Sequence, residues 1–252
     1  MTGETAADRV VFDLTGQDVL PFLQGLVSND VQPLAKGPGL VWAALLTPQG
    51  KYLADFLVGR LPDGRLILDI KETIAAATLR RLMMYRLRAD VQIAPSALSV
   101  ARGTGDAPEG ALPDPRHPAL GWRAYGAAGG PARIDWDAIR VDHVIPETGI
   151  ELTDETYILE AGFERLHGVD FRKGCYVGQE VTARMKHKTE LRKGLVRVAV
   201  TGMAEAGSPI TTEDGREAGT LFTRAGDQAI AHLRLDRAEG PLFAGTARVR
   251  RA

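Results

Sequence analysis

The chain has one cysteine in 252 residues. That excludes an intramolecular disulfide, and it excludes a zinc or iron-sulfur site built from this chain's thiols alone. Aromatics make up only 6% of the residues, and the formal charge of -1 at pH 7 leaves no overall bias toward nucleic acid or acidic lipid. Long hydrophobic runs are missing too. The longest uncharged stretch, "GPGLVWAALLTPQG" at 37–50, is well short of the ~20 apolar residues that span a bilayer. The start "MTGETAADRVVF" has acids and no apolar core behind a basic end, unlike a secretory leader. No Walker sequence, G-x-G-x-x-G or H-E-x-x-H occurs, and no repeat has a fixed period. The expectation is a cytoplasmic, monomeric protein with no membrane partner.

What is present is ordinary core material, 44% hydrophobic, over a length sufficient for one large domain or two to three small ones. Three blocks are predicted, at 1–95, 96–190 and 191–252. In the first, "DLTGQDVLPFLQGLVSND" reads as a short helix started near Thr15 and ended near Gly25. Turn signals at Pro48-Gln49-Gly50 and Pro62-Asp63-Gly64 then divide Leu- and Val-rich runs into an antiparallel meander. Residues 71–87 place Leu79, Leu82, Met83 and Arg86 at i, i+3, i+4 and i+7, which predicts an amphipathic helix with the Met pair in the core. The Gly-, Pro- and Ala-dense segment 101–131 reads as a loop-rich connection in which only "LGWRAY" resembles a strand, and 101–118 is expected to be dispensable for folding. From Lys193 onward, period-two alternation with turns at Glu213-Asp214-Gly215 and Ala225-Gly226-Asp227 predicts a small all-β barrel or sandwich.

The single thiol, Cys175, lies between Gly174 and Gly178 in "FRKGCYVGQEVTARMKHK". Glycines at this spacing let the backbone turn sharply and approach another group closely. Residues 170–193 carry seven Lys and Arg against Asp170, Glu180 and Glu190, and cations beside a thiol favour the thiolate, which is both nucleophile and metal ligand. The bland alternatives are a buried cysteine acting as a small hydrophobe and a solvated cationic face. A cysteine hydrolase would need His143, His167 or His187 as base, and RNA binding through "ARMKHKTELRK" would normally add aromatics, none of which lies between Tyr176 and Phe222.

"KGCYVGQEVTAR" resembles the signature of the YgfZ family of folate-binding iron-sulfur maturation proteins, Lys-Gly-Cys-aromatic-x-Gly-Gln-Glu. The blocks "FLQGLVSNDV" (22–31), "LLTPQGKYLADF" (45–56), "YRLRADV" (85–91), "DPRHPALGWR" (114–123) and "AHLRLDRA" (231–238) are similar to family blocks in family order, with the mitochondrial and α-proteobacterial branch the most similar. The resemblance implies an α+β fold like the glycine-cleavage T-protein, with two mixed α+β domains and a C-terminal β-barrel. It implies tetrahydrofolate as ligand, an A-type iron-sulfur carrier and client iron-sulfur enzymes as partners, and Cys175 as functional thiol or as ligand to a shared iron-sulfur cluster. Lys173, Gly174, Tyr176, Gly178, Gln179, Glu180 and Arg184 carry the rest of the motif. The competing T-protein activity, aminomethyl transfer, uses an Asp-Asp pair where this chain has Ala54 and Asp55, and an Asn-containing strand where it has Asp69. Asp55 and Asp69 are the expected folate contacts.

Overall fold

A computed structural model describes residues 3–126, 129–187 and 191–252. The chain divides into two compact units, one comprising Met1–Ile134 with Glu164–Gln179 and the other Asp135–Phe163 with Glu180–Ala252.

The first unit holds two antiparallel sheets. Its strands are β1 (Glu4–Thr5), β2 (Arg9–Thr15), β3 (Gly39–Leu46), β4 (Tyr52–Arg60), β5 (Leu66–Lys71), β6 (Gln92–Pro95), β7 (Val100–Gly103), β8 (Leu112–Pro113) and β9 (Trp122–Tyr125); its helices are α1 (Val19–Gln24) and α2 (Glu72–Arg86). The five-stranded sheet runs β3-β4-β5-β2-β6 and the four-stranded one β1-β7-β9-β8. The meander β3-β4-β5 follows the two turns expected from Pro-Gln-Gly and Pro-Asp-Gly. Alternation along β5 buries both faces of the larger sheet: Leu68 and Ile70 join the cluster with α1 and α2, while Ile67 packs with Val11, Val100 and Leu112 on the other side.

Three expectations are corrected here. The first helix starts at Val19, because Arg9–Thr15 is a strand paired with both β5 and β6. Helix α2 buries Ala75, Thr78 and Leu82, and Met83 and Met84 are exposed on the opposite side. Leu82 is buried as its spacing predicts, and the small Ala75 and Thr78 beside it let the helix lie close to the sheet, so the Met pair is not needed on the inner face. The segment 101–131 is more than a connection, since β7, β8 and β9 form a sheet whose inner side carries charge.

That charge forms a buried network joining the two sheets. Asp69, fully buried on β5, accepts from Arg9 Nε at 2.6 Å, Arg123 Nη1 at 3.0 Å and the Tyr125 hydroxyl at 2.9 Å. Arg123 continues to Asp114 at 2.9 Å, and Asp114 also accepts from Arg116 at 2.9 and 2.7 Å. Burial by itself pushes both carboxyls up. Arg9 and Arg123 around Asp69, and Arg116 and Arg123 around Asp114, more than offset it and hold both below the usual carboxylate range.

Shortening 101–118 as a whole would therefore remove Asp114 and Arg116. Only residues 104–110 are exposed throughout. Replacing 104–110 with a shorter Gly-Ser link is expected to change stability by less than ~1 kcal/mol, as closure entropy varies slowly with loop length; extending the deletion to 116 should cost several times more. Urea titrations of the two variants check the contrast, and equal losses would contradict it.

The second unit contains α3 (Trp136–His143), α4 (Gln179–His187, whose first residue falls in the other unit) and six strands: β10 (Lys193–Thr201), β11 (Pro209–Thr212), β12 (Glu217–Ala225), β13 (Gln228–Arg234), β14 (Leu242–Ala244) and β15 (Ala247–Arg251). The strands close into a barrel in the order β10-β13-β12-β11-β14-β15. Its interior is filled by Val198, Val200, Ile210, Leu221, Leu233 and Val249, among others, as the period-two pattern requires. Helix α3 is pinned by Arg140, which pairs with buried Glu151 at 2.5 Å, and Glu151 also accepts from the Thr223 amide.

Candidate functional site

The segment 167–178 crosses the first unit as an irregular loop and is held at both ends by backbone contacts. Before the cysteine, the Asp170 amide donates to Ser28 O at 3.0 Å, the Ser28 hydroxyl to Gly168 O at 2.6 Å, and Asn29 Nδ2 to His167 O at 2.7 Å. After it, Gly178 turns with φ 85° against the β3–β4 hairpin. A Cβ there would lie 2.6 Å from Thr47 O and 2.9 Å from Leu46 Cβ. Glycine is needed twice over, for its dihedral and for the close approach. Gly174 has φ 97° and open space around it, so only the dihedral constrains it.

Lys173 fastens the middle. Its ammonium donates to Gln24 O, at the last residue of helix α1, at 2.6 Å and to Val27 O, just beyond it, at 2.8 Å. The Gln24 side-chain amide donates back to Lys173 O at 3.2 Å and to Asp30 Oδ1 at 3.0 Å. The ammonium also lies 4.8 Å from the Tyr176 ring centroid, within cation–π range. Tyr176 is buried, hydroxyl included, and Val177 packs on the main core cluster. Between these anchors Cys175 is exposed. The thiol thus stands out from a loop whose neighbours on both sides are fixed, and the reading of it as a buried hydrophobe does not hold.

Burial lowers the Lys173 pKa to about 8, against the opposing pull of Asp30, Asp170 and Cys175. The folded chain then holds fewer protons than the unfolded chain between pH 8 and 10.5. The cost of burying the charge is complete below 8 and is relieved as pH rises through that window. Wild type should therefore gain stability relative to Lys173→Met from pH 8 to 10.5, where a pH-independent difference would contradict the assignment. In the same variant, amides of 168–178 should exchange about tenfold faster, the factor that corresponds to loss of a typical hydrogen bond of ~1.4 kcal/mol.

The remaining expected site residues are distributed differently. Gln179 starts α4, its amide reaching Tyr176 O at 3.2 Å; Glu180 in the first turn and Arg184 in the last are exposed and belong to the second unit. Asp55 is buried and accepts from Trp42 Nε1 and the Tyr52 hydroxyl, both at 2.7 Å. Asp69 is enclosed in the arginine network described above. Gln24, Val27, Ser28 and Asn29 were not singled out from the sequence as supports; "FLQGLVSNDV" carried the signal only as a block.

Beside the loop is a cleft of about 560 Å³ bordered by Asn29, Asp30, Val41, Glu164, His167 and Asp170, among others. Its walls come from both sides of residue 95, and they carry more carboxylates than cations. Among the described residues, no group of three or more His, Cys, Asp or Glu could hold a metal ion.

Comparison with known proteins adds one family model, two relatives and one solved structure. Residues 192–252 match the model of the CAF17 C-terminal β-barrel domain. The chain is 32% identical over 219 residues to the mitochondrial iron-sulfur cluster assembly factor IBA57 homolog of Mycosarcoma maydis, covering 75% of this chain and 54% of that protein. It is 30% identical over 285 residues to the mitochondrial IBA57 of Mus musculus, covering 94% of this chain and 79% of the mouse protein. Among solved structures, the glycine cleavage system aminomethyltransferase T from Bartonella henselae superposes with a TM-score of 0.76 at 14% identity, covering 98% of this chain and 83% of that one. The T-protein-like fold is thereby established, with its mixed α+β part and closed barrel. The expectation of a cytoplasmic protein is corrected, because these relatives are mitochondrial by name.

Proposed function

The chain belongs to the IBA57 family of iron-sulfur cluster assembly factors, and from that premise we propose that it assists cluster maturation through Cys175, as a ligand to a cluster shared with a partner or as a reactive thiol. The observation that carries this reading is the exposed thiol on a loop fixed by Lys173, Gln24 and the two motif glycines. One cysteine gives at most one thiolate ligand, so a cluster is cargo held jointly with another protein, for which an A-type carrier is the proposed partner and iron-sulfur enzymes the proposed clients. The YgfZ resemblance supports the same chemistry in a bacterial relative.

Tetrahydrofolate is the proposed ligand. The fold likeness motivates it, and the cleft beside the loop has room for a small molecule, with Asp30, Glu164 and Asp170 able to accept pterin N–H groups. Asp55, buried and accepting from Trp42 Nε1, is kept as a secondary contact. Asp69 is left out, because all its side-chain bonds serve the network between the sheets. No aminomethyl transfer is expected, since Ala54 stands where the T-protein has a carboxylate.

Two measurements test the proposal. Iodoacetamide should label Cys175 in the folded protein as readily as after denaturation, and a thiol silent until unfolding would remove the site. Calorimetry should give saturable heat with tetrahydrofolate, with no turnover in a coupled aminomethyl-transfer assay; no heat at millimolar ligand would remove folate.

A further inference from the structure

Helix α2 has a second, outward side on which large apolar side chains stay exposed. Opposite the buried Ala75, Thr78 and Leu82, residues Arg80, Met83 and Met84 fall at i, i+3 and i+4, with Leu87 at i+7 in the capping position. Met84 and Leu87 are 76% and 86% exposed, and Met83 and the flanking Tyr85 are also exposed. Arg80, Arg81 and Arg88 are exposed among them, while Arg86 is tied to Val91 O. No acid occurs between Glu72 and Asp90, and the Asp90 carboxylate is turned to the Gln17 amide and the Gln92 side chain. A chain of net charge -1 thus concentrates unopposed positive charge on one short outward face.

Leu87 makes the arrangement harder to explain as chance. Its φ is 45° with ψ -107°, a positive-φ conformation that glycine adopts readily and a residue with a Cβ rarely does. A leucine there strains the backbone and leaves its side chain in water, so the core gains nothing in return.

We propose that this face rests on an anionic lipid bilayer, with Met83, Met84 and Leu87 entering the acyl boundary and Arg80, Arg81 and Arg88 at the phosphates. The cations are interleaved with the apolar side chains, Arg80 lying between Met83 and Met84 around the helix. Protein interfaces instead separate an apolar centre from a polar rim, and a groove receiving this face would have to bury carboxylates within its apolar floor. A headgroup layer offers phosphate and hydrocarbon within a few ångströms of each other and adapts to long side chains that reach to different depths. Among the described residues no helix is long and apolar enough to cross a membrane. A surface contact needs none, and it qualifies the expectation of a chain without a membrane partner.

Co-sedimentation of the full chain with phosphatidylcholine vesicles containing about 30% phosphatidylglycerol tests the proposal against pure phosphatidylcholine, at low and high salt. Partition to the anionic vesicles should exceed that to neutral ones by about tenfold or more and fall with salt. Two variants of opposite chemistry, Met84→Glu with Leu87→Glu and Arg80→Glu with Arg81→Glu, should each lose about tenfold with unchanged melting temperature, because all four side chains are exposed. No partition at millimolar anionic lipid, or equal partition of the wild type and both variants, would overturn the proposal. So would retention on polyglutamate without vesicle binding, which would assign the face to an acidic protein.

Discussion

Replacing Arg123 with methionine is expected to destabilise the first unit by about 3–5 kcal/mol, the range found when one partner of a buried ion pair is removed. Arg123 is 3% exposed and spans two carboxylates, Asp114 at 2.9 Å and Asp69 at 3.0 Å, from opposite sides of the space between the sheets. Methionine fills much of the volume but leaves two buried negative charges with one arginine fewer between them. Arg123→Lys should be intermediate, because an ammonium cannot present two separated N–H groups in a fixed plane. The pH dependence has a definite sign. Both carboxyls are held below their unfolded values by their arginines, so the stability they contribute is present above about pH 4 and is lost as pH falls through their folded values. The difference between wild type and Arg123→Met should therefore narrow below about pH 4. Urea unfolding at several pH values measures it, and a loss under ~1 kcal/mol at pH 7 would contradict the account of the network.

The second large effect is functional and should leave stability almost untouched. Cys175 is exposed, and its neighbours are held by contacts that do not use the sulfur. Cys175→Ala and Cys175→Ser should therefore melt within a few degrees of wild type, as surface substitutions do, and both should fail completely to support cluster-dependent enzymes in a deletion strain. A buried structural thiol predicts the reverse, with serine the worse of the two by about 1–3 kcal/mol for an unsatisfied hydroxyl. Normal client activity with alanine at 175 would contradict the proposed role.

Sequence patterns anticipated the parts of the molecule governed by local rules. The meander and the barrel were legible because turn residues and period-two alternation act within a few positions, and Gly174 and Gly178 were legible because both adopt positive φ. Helix α2 was legible in extent and at Leu82 but not at the Met pair: the rest of its inner face is Ala75 and Thr78, which carry little hydrophobic signal, and Met83 and Met84 face outward. The strands of the 101–131 segment are hidden in the sequence for a related reason. Glycine and proline density obscured strands β7 and β8, and nothing local indicates that Asp114 and Arg116 meet Arg123, or that Asp69 comes from a strand far away in sequence. The supports of the thiol loop were equally hidden, since Lys173 is held by the carbonyls of Gln24 and Val27, groups that every residue possesses.

Of the two roles proposed for Cys175, supplying a thiolate to a cluster shared with a partner makes the sharper claim. It is tested most directly by mixing the chain anaerobically with an A-type carrier bearing an iron-sulfur cluster and recording absorption and circular dichroism of the separated complex. Wild type should yield a complex whose cluster spectrum differs from that of the carrier alone, while Cys175→Ala, folded and at the same concentration, should leave the carrier's spectrum unchanged. An identical new spectrum with the alanine variant would show that the ligand lies elsewhere and would contradict the account.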